Sequence, residues 1–262
     1  MKTSIALFQM NSVLGDFEGN KNKILSFCLS HKDCDIVVTP ELSLCGYPPE
    51  DLIFHKSFLL SCFETAQQLV ESSKEFPNIH LLVGLPVQEG EKIFNEAFLI
   101  KNGQLLGRYK KRNLPNYGVF DERRYFTAGK NSEPLVFDVK GSRFGVNICE
   151  DIWHAEAPAL AKKAGSEVLL ILNASPFEKY KRIECVEKNV CAQGMDAVYV
   201  NACGAQDEII FDGFSFTRTK DGKGREMSGF EASSMLAEAE HGELLETSSF
   251  EISQGIADLY SG

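Results

Sequence analysis

The sequence predicts an α/β fold built as one large domain. Three observations predict it. Apolar strand-like runs alternate with longer amphipathic stretches along most of the chain. The 262 residues suffice for one substantial buried core. No internal repeat, linker-like tract or low-complexity segment divides them.

In chain order, strands are predicted at residues 4–10, 35–39, 80–85, 96–101, 104–110, 143–149, 168–173, 197–202 and 209–217. Lys101-Asn102-Gly103 sits between two of these runs and predicts a hairpin turn. The run EVLLILNAS is continuously apolar, as a strand buried on both faces should be. Helices are predicted between the strands. Over 20–30, Ile24, Phe27 and Cys28 recur on one face; over 56–74, Leu59, Cys62, Phe63, Ala66, Leu69 and Val70 form a longer stripe. A third helix, 157–164, runs into Gly165 as its C′ residue, and a fourth, 181–195, turns Ile183, Val186, Val190 and Cys191 inward. The Glu-, Ser- and Ala-rich stretch 231–262 reads as a C-terminal extension, with a weak helical pattern over 254–262.

Composition narrows the function. A net charge of −10 argues against nucleic-acid backbones and anionic membranes as partners. No apolar run approaches the ~20 residues of a spanning helix. The first residues, MKTSIALFQMNS, read as a strand rather than a signal peptide, so a cytoplasmic location is expected. Eight cysteines form no CxxC pair and have no HxxxH nearby, so neither a disulfide framework nor a metal site is expected.

The chemistry begins where strands end, since active residues of α/β sheets collect at strand C-termini. The run DIVVTP leads into Glu41, QLLGRYK into Lys111 and RFGVNI into Cys149. Cys149 is followed by two acids and a tryptophan, an odd finish for a core strand. Two adjacent carboxylates disfavour a thiolate, so a reactive Cys149 needs a cation and a base nearby. Lys111 and Glu41 have those chemistries. Taken one at a time, these three residues read more simply as a buried structural thiol, a solvated turn glutamate and a surface lysine. His154 offers a rival Cys–His pair, but five residues from Cys149 it falls nearly on the wrong side of a helix.

Longer motifs resolve the ambiguity. The blocks Pro40-Glu41-Leu42, Lys111-Arg112-Asn113-Leu114-Pro115 and Asn147-Ile148-Cys149-Glu150-Asp151, in that order, resemble the carbon–nitrogen hydrolase (nitrilase) superfamily. The strings ELSLCGYPPEDL (41–52), LPNYGVFDERRYF (114–126), NASPF (173–177) and VNACGAQDEIIFDGFSF (200–216) resemble more closely the N-terminal glutaminase domains of glutamine-dependent NAD+ synthetases. This resemblance implies a four-layer α-β-β-α sandwich that forms homo-oligomers. It implies Glu41 as general base, Lys111 as cation, Cys149 as nucleophile and Glu122 as a second, orienting glutamate. By the same matches Tyr117 lies near a bound L-glutamine and Ser175 holds its α-amino or carboxylate end. Lys181, more loosely matched, is a substrate anchor, and Phe177 a pocket wall.

The ATP-binding synthetase domain of such enzymes carries an SGGxDS-type loop, and no such string occurs here. Residues 1–262 are therefore expected to be the glutaminase domain, with 231–262 leading toward a synthetase domain in cis or in trans. No cofactor is expected in this chain; ATP and Mg belong to the synthetase domain. Two alternatives stand beside this one: an amidase of the same superfamily acting on another small amide, and a non-catalytic regulatory domain.

Overall fold

The computed structural model describes residues 1–177 and 181–245, with the Lys181 side chain outside the description. The strands are β1 (Thr3–Gln9), β2 (Ile36–Val38), β3 (His80–Glu89), β4 (Lys92–Lys101), β5 (Gln104–Lys110), β6 (Val136–Val139), β7 (Ser142–Ile148), β8 (Val168–Asn173), β9 (Asp196–Asn201), β10 (Cys203–Gln206), β11 (Ile209–Asp212), β12 (Phe216–Arg218), β13 (Gly224–Glu226), β14 (Ser233–Glu240) and β15 (Glu243–Leu244). The helices are α1 (Phe17–Ser30), α2 (Lys56–Ser72), α3 (Glu122–Tyr125), α4 (Glu156–Lys163) and α5 (Lys181–Asn189).

Strict alternation along the strands builds the layers. One sheet runs β15-β14-β1-β2-β3-β4-β5 and the other β13-β12-β9-β8-β7-β6. Ile5 and Leu7 of β1, Val38 of β2 and Leu82 of β3 meet Val146 and Ile148 of β7 and Leu170 and Leu172 of β8 in one cluster between the sheets. The alternate residues face outward. Ala6 and Phe8 pack with Ile24, Phe27, Cys62 and Leu69 of α1 and α2. Leu169, Ile171 and Tyr199 pack with Ala161, Val186 and Val190 on the opposite side. Helix, sheet, sheet, helix is the four-layer sandwich. β8, fully buried along its length, pairs in parallel with β7 and β9, as its unbroken apolar run predicts.

Most predicted elements stand, with boundary shifts. Asn102 (φ 47°) and Gly103 (φ 76°) form the β4–β5 turn, both in the left-handed region that tight hairpins need. Gly165 (φ 96°) ends α4 as a C′ residue. The predicted helix 181–195 stops at Asn189 and resumes as a short 3-10 turn at Cys191–Gln193. Phe63 is turned outward, 48% exposed, rather than joining the α2 stripe.

Two predictions are corrected. The run 209–217 is two strands, because Gly213 (φ 70°) and Phe214 (φ 49°) break it: β11 pairs with β10, and β12 joins the six-stranded sheet. The stretch from 231 does not begin as an appendage. β14 runs antiparallel to β1 over its whole length, from Thr3↔Ala239 to Gln9↔Ser233. Its alternate burial places Met235, Ala237 and Ala239 in the inter-sheet core. Residues 246–262, including the helical pattern at 254–262, lie outside the described residues.

Candidate active site

Strands β2 and β5 of one sheet and β7 and β8 of the other deliver their C-terminal ends to one place. After β2 the chain turns through Thr39 and Pro40 to Glu41. The turn is held by Thr39, whose N–H bonds to the Leu82 carbonyl at 3.1 Å and whose hydroxyl lies 2.7 Å from that of Ser43. Gly84 lets β3 pass directly beneath: a Cβ there would stand 2.4 Å from the Leu42 nitrogen. Leu42 (φ 47°) and Cys149 (φ 42°) are both non-glycine residues in the left-handed region, a conformation that costs of order 1–3 kcal/mol and clusters at functional sites. Cys149 immediately follows β7 and opens the 3-10 helix Cys149–Trp153, so its backbone is bent where its side chain must be presented.

The side chains meet in a buried cluster. Glu41, Lys111, Glu122 and Cys149 are all at least 96% buried, the thiol being the most accessible at 4%. The Lys111 ammonium donates to Glu41 Oε1 at 2.7 Å and to Glu122 Oε1 and Oε2 at 2.8 and 2.9 Å. Asn95 Nδ2 donates to the same Glu41 Oε1 at 2.7 Å, and the Ala174 N–H to Oε2 at 3.1 Å. Glu41 is thus fixed at both oxygens. Tyr47 donates to Glu122 Oε1 at 2.8 Å. The Cys149 sulfur lies 3.5 Å from the Ser175 hydroxyl.

Two carboxylates share one ammonium here, and the electrostatics follow. Burial pushes Glu122 up to about 7, reinforced by Glu41 and opposed by Lys111. Burial would lower Lys111, but Glu122, Glu41 and Cys149 outweigh it and raise the ammonium well above its ordinary value. Burial, then Glu41, raise the Cys149 thiol, with Lys111 and Ser175 pulling the other way. The resting sulfur is therefore protonated, and its activation requires a base beside it.

Asp151 ties the Lys111 segment to the Cys149 segment. It accepts from the Arg112 and Asn113 N–H groups at 3.0 and 2.8 Å, from the Ile148 N–H at 3.2 Å and from the Tyr109 hydroxyl at 2.8 Å. Even so, burial leaves its carboxyl raised to about 6.

Of the sequence-predicted residues, the fold brings together Glu41, Lys111, Glu122, Cys149 and Ser175. Tyr117 stands at the rim, 56% exposed, with its hydroxyl on Glu150 Oε2 at 2.8 Å. Phe177 is also at 56%, its ring 6.0 Å from that of Phe230. Lys181 opens α5, and its side chain lies outside the described residues. His154 faces Glu150 at 3.4 Å, not the thiol, and is exposed. Sequence reasoning missed Asn95, Tyr47, Asp151 and the carboxylate of Glu150. The one sign of Asn95 was a polar pair, Asn95-Glu96, interrupting an otherwise apolar run.

Comparison with known proteins gives the family and the fold. The family model for carbon-nitrogen hydrolases matches residues 4–204. The glutamine-dependent NAD(+) synthetase of Aquifex aeolicus is 40% identical over 225 residues, covering 84% of this chain and 39% of the relative. That of Xanthomonas campestris pv. campestris is 37% identical over 224 residues, covering 83% and 40%. The chain thus spans about 40% of the length of these curated relatives. Among solved structures, the glutamine-dependent NAD+ synthetase from Acinetobacter baumannii superimposes with a TM-score of 0.87 at 33% identity, covering 97% of this chain and 49% of that one. An amidase from Nesterenkonia sp. shares the fold, with a TM-score of 0.80 at 23% identity over 91% of this chain and 90% of its own. The chain belongs to the carbon–nitrogen hydrolase family.

Proposed function

We propose that this chain hydrolyses the side-chain amide of L-glutamine through a thioester on Cys149, and that the ammonia serves a synthetase domain that amidates a dinucleotide precursor of NAD+. One observation carries the reading: a thiol, a carboxylate fixed at both oxygens and a buried ammonium stand together, in a chain whose curated relatives are glutamine-dependent NAD+ synthetases.

Glu41 takes the thiol proton as the sulfur attacks the amide carbon. The negative charge that develops on the carbonyl oxygen is met by Lys111 and by the backbone N–H of Glu150 at the start of the 3-10 turn. Glu41 returns the proton to nitrogen, the C–N bond breaks, and ammonia leaves a γ-glutamyl thioester. Water, deprotonated by the same carboxylate, attacks the thioester; the C–S bond breaks, and glutamate and the thiol are regenerated. Glu122 sets the charge and position of Lys111 rather than touching the substrate. Tyr117, Glu150, Ser175, Phe177 and Lys181 are the residues from which we expect the amino-acid end of glutamine to be recognised. These steps require no metal or organic cofactor; ATP and Mg belong to the synthetase chemistry. We expect a homo-oligomer in the cytoplasm, and among the described residues no helix is long and apolar enough to cross a membrane.

The test is ammonia release from L-glutamine, L-asparagine and a simple aliphatic amide by the wild-type chain and Cys149→Ala. Release selective for glutamine and lost in the variant is the expected result. Release from the aliphatic amide in preference to glutamine would replace the substrate, and release by Cys149→Ala would remove the thiol from the mechanism.

A further inference from the structure

Behind the nucleophile, away from the Glu41–Lys111–Glu122 cluster, lies a second buried polar chain. Tyr199 projects from β9 into the outer helix layer, fully buried, its ring stacked on Phe216 at 4.6 Å between centroids. Its hydroxyl donates to Ser175 Oγ at 3.1 Å, and that oxygen is the one 3.5 Å from the Cys149 sulfur. On the far side stands Arg182, 8% exposed, paired with Asp212 and donating to the Gly213 carbonyl at 3.1 Å. The Arg182 charge acts on the buried Tyr199 hydroxyl. The backbone of Ser175 is clamped by Asn201, whose Oδ1 accepts from the Ser175 N–H at 2.8 Å and whose Nδ2 donates to its carbonyl at 3.1 Å.

The donors in this chain run in one direction. A guanidinium only donates, so Arg182 makes no claim on the Tyr199 proton. The single Tyr199 proton is committed to Ser175 Oγ. The single Ser175 proton is then left to point at the sulfur. Asp212, itself held by the Asn201 amide at 3.4 Å, balances the buried charge of Arg182 and fixes where it points.

We propose that Tyr199 is a positioning residue for the reaction: it orients the Ser175 hydroxyl as a hydrogen-bond donor to the Cys149 sulfur and so stabilises that sulfur as it becomes a thiolate. This gives Ser175 a role toward the nucleophile that substrate binding alone does not, and it rests on Cys149 as the nucleophile rather than on glutamine as the substrate. The other groups acting on the thiol are Glu41 after β2, Lys111 after β5 and Glu122 on α3. None of them is altered by changing Tyr199.

Alkylation of Cys149 by iodoacetamide, followed across pH by peptide mass, tests the proposal without glutamine. Tyr199→Phe keeps the ring and its stacking on Phe216 and removes only the hydroxyl. It is expected to slow Cys149 alkylation at neutral pH by roughly 3- to 10-fold and to move the rate–pH curve upward, as loss of support for a hydrogen bond to a charged group should. Ser175→Ala is expected to do at least as much. Adding Tyr199→Phe to Ser175→Ala should change nothing more, because Tyr199 acts only through Ser175. With glutamine, Tyr199→Phe should lower kcat and leave KM in place. A wild-type alkylation curve for Tyr199→Phe, two variants whose effects multiply, or a raised KM with unchanged kcat would each overturn the proposal. If another amide proves to be the substrate, the alkylation result still decides it.

Discussion

Lys111→Met converts the buried charge balance into a stability measurement. The Lys111 side chain has no exposure, and its ammonium is the shared partner of Glu41 and Glu122. Methionine fills nearly the same volume and removes the charge, leaving two carboxylates close together in the interior. Removing one partner of a buried ion pair typically costs about 3–5 kcal/mol, much of it the burden of the uncompensated charge left behind. At roughly 2–4 °C per kcal/mol for a chain of this size, the unfolding midpoint should fall by about 6–20 °C.

The loss should also depend on pH. Glu122 is raised by burial to about 7 even with Lys111 present, and without it the carboxyl rises further. A carboxyl whose pKa is higher folded than unfolded contributes stability that is complete below its unfolded value, near 4.5, and is lost as pH climbs through the folded value. The deficit of Lys111→Met should therefore be larger at pH 8 than at pH 6. Urea unfolding of the wild type, Lys111→Met and Lys111→Met/Glu122→Gln at both pH values provides the assay. The double variant removes one stranded carboxylate and should recover part of the loss. A Lys111→Met chain as stable as wild type at both pH values, or one made worse by Glu122→Gln, would refute the electrostatic account.

Two further predictions follow from the same contacts. Asp151→Asn replaces the charged acceptor of three backbone N–H groups and the Tyr109 hydroxyl, so unfolding should become easier by roughly 1.5–3 kcal/mol; kcat should fall with it, because the Lys111 and Cys149 segments lose their tie, and unchanged kcat and stability would contradict this. Hydrolysis should decline as pH drops through about 7, where Glu122 takes up a proton and leaves Lys111 to pair more tightly with the base Glu41; Glu122→Gln should lack that limb in a pH profile of kcat/KM, and retention of it would assign the titration elsewhere.

Much of the fold is legible in the sequence where local pattern and tertiary role coincide. β8 is apolar throughout because both its faces are covered, and the Asn102-Gly103 turn shows its left-handed backbone in its residue types. β14 was not legible because SSMLAEAE carries alanine and glutamate, poor strand formers; its strand conformation comes from β1 beside it and the inter-sheet core beneath Met235, Ala237 and Ala239. At the site, Glu41, Lys111 and Cys149 are readable because each sits in a distinctive motif at a strand end, and Glu122, at the start of α3, only through the longer motif that resembles the family. Asn95, Asp151 and Tyr199 are not, since what matters about each is a side-chain contact to a distant residue, 24 residues from Tyr199 to Ser175, 42 from Asp151 to Tyr109 and 54 from Asn95 to Glu41, of which the local sequence carries no trace. The motif of Ser175 points to the amino-acid end of the substrate, and its contact with the nucleophile, 3.5 Å from hydroxyl to sulfur, is visible only in the structure.

The most direct measurement of the central claim is acid quenching of the wild-type chain during turnover of L-glutamine, followed by peptide mass analysis. The account predicts a γ-glutamyl group on the peptide carrying Cys149, absent with L-asparagine and absent from Cys149→Ala, which should also release no ammonia. Ammonia released from glutamine at the wild-type rate by Cys149→Ala would contradict it.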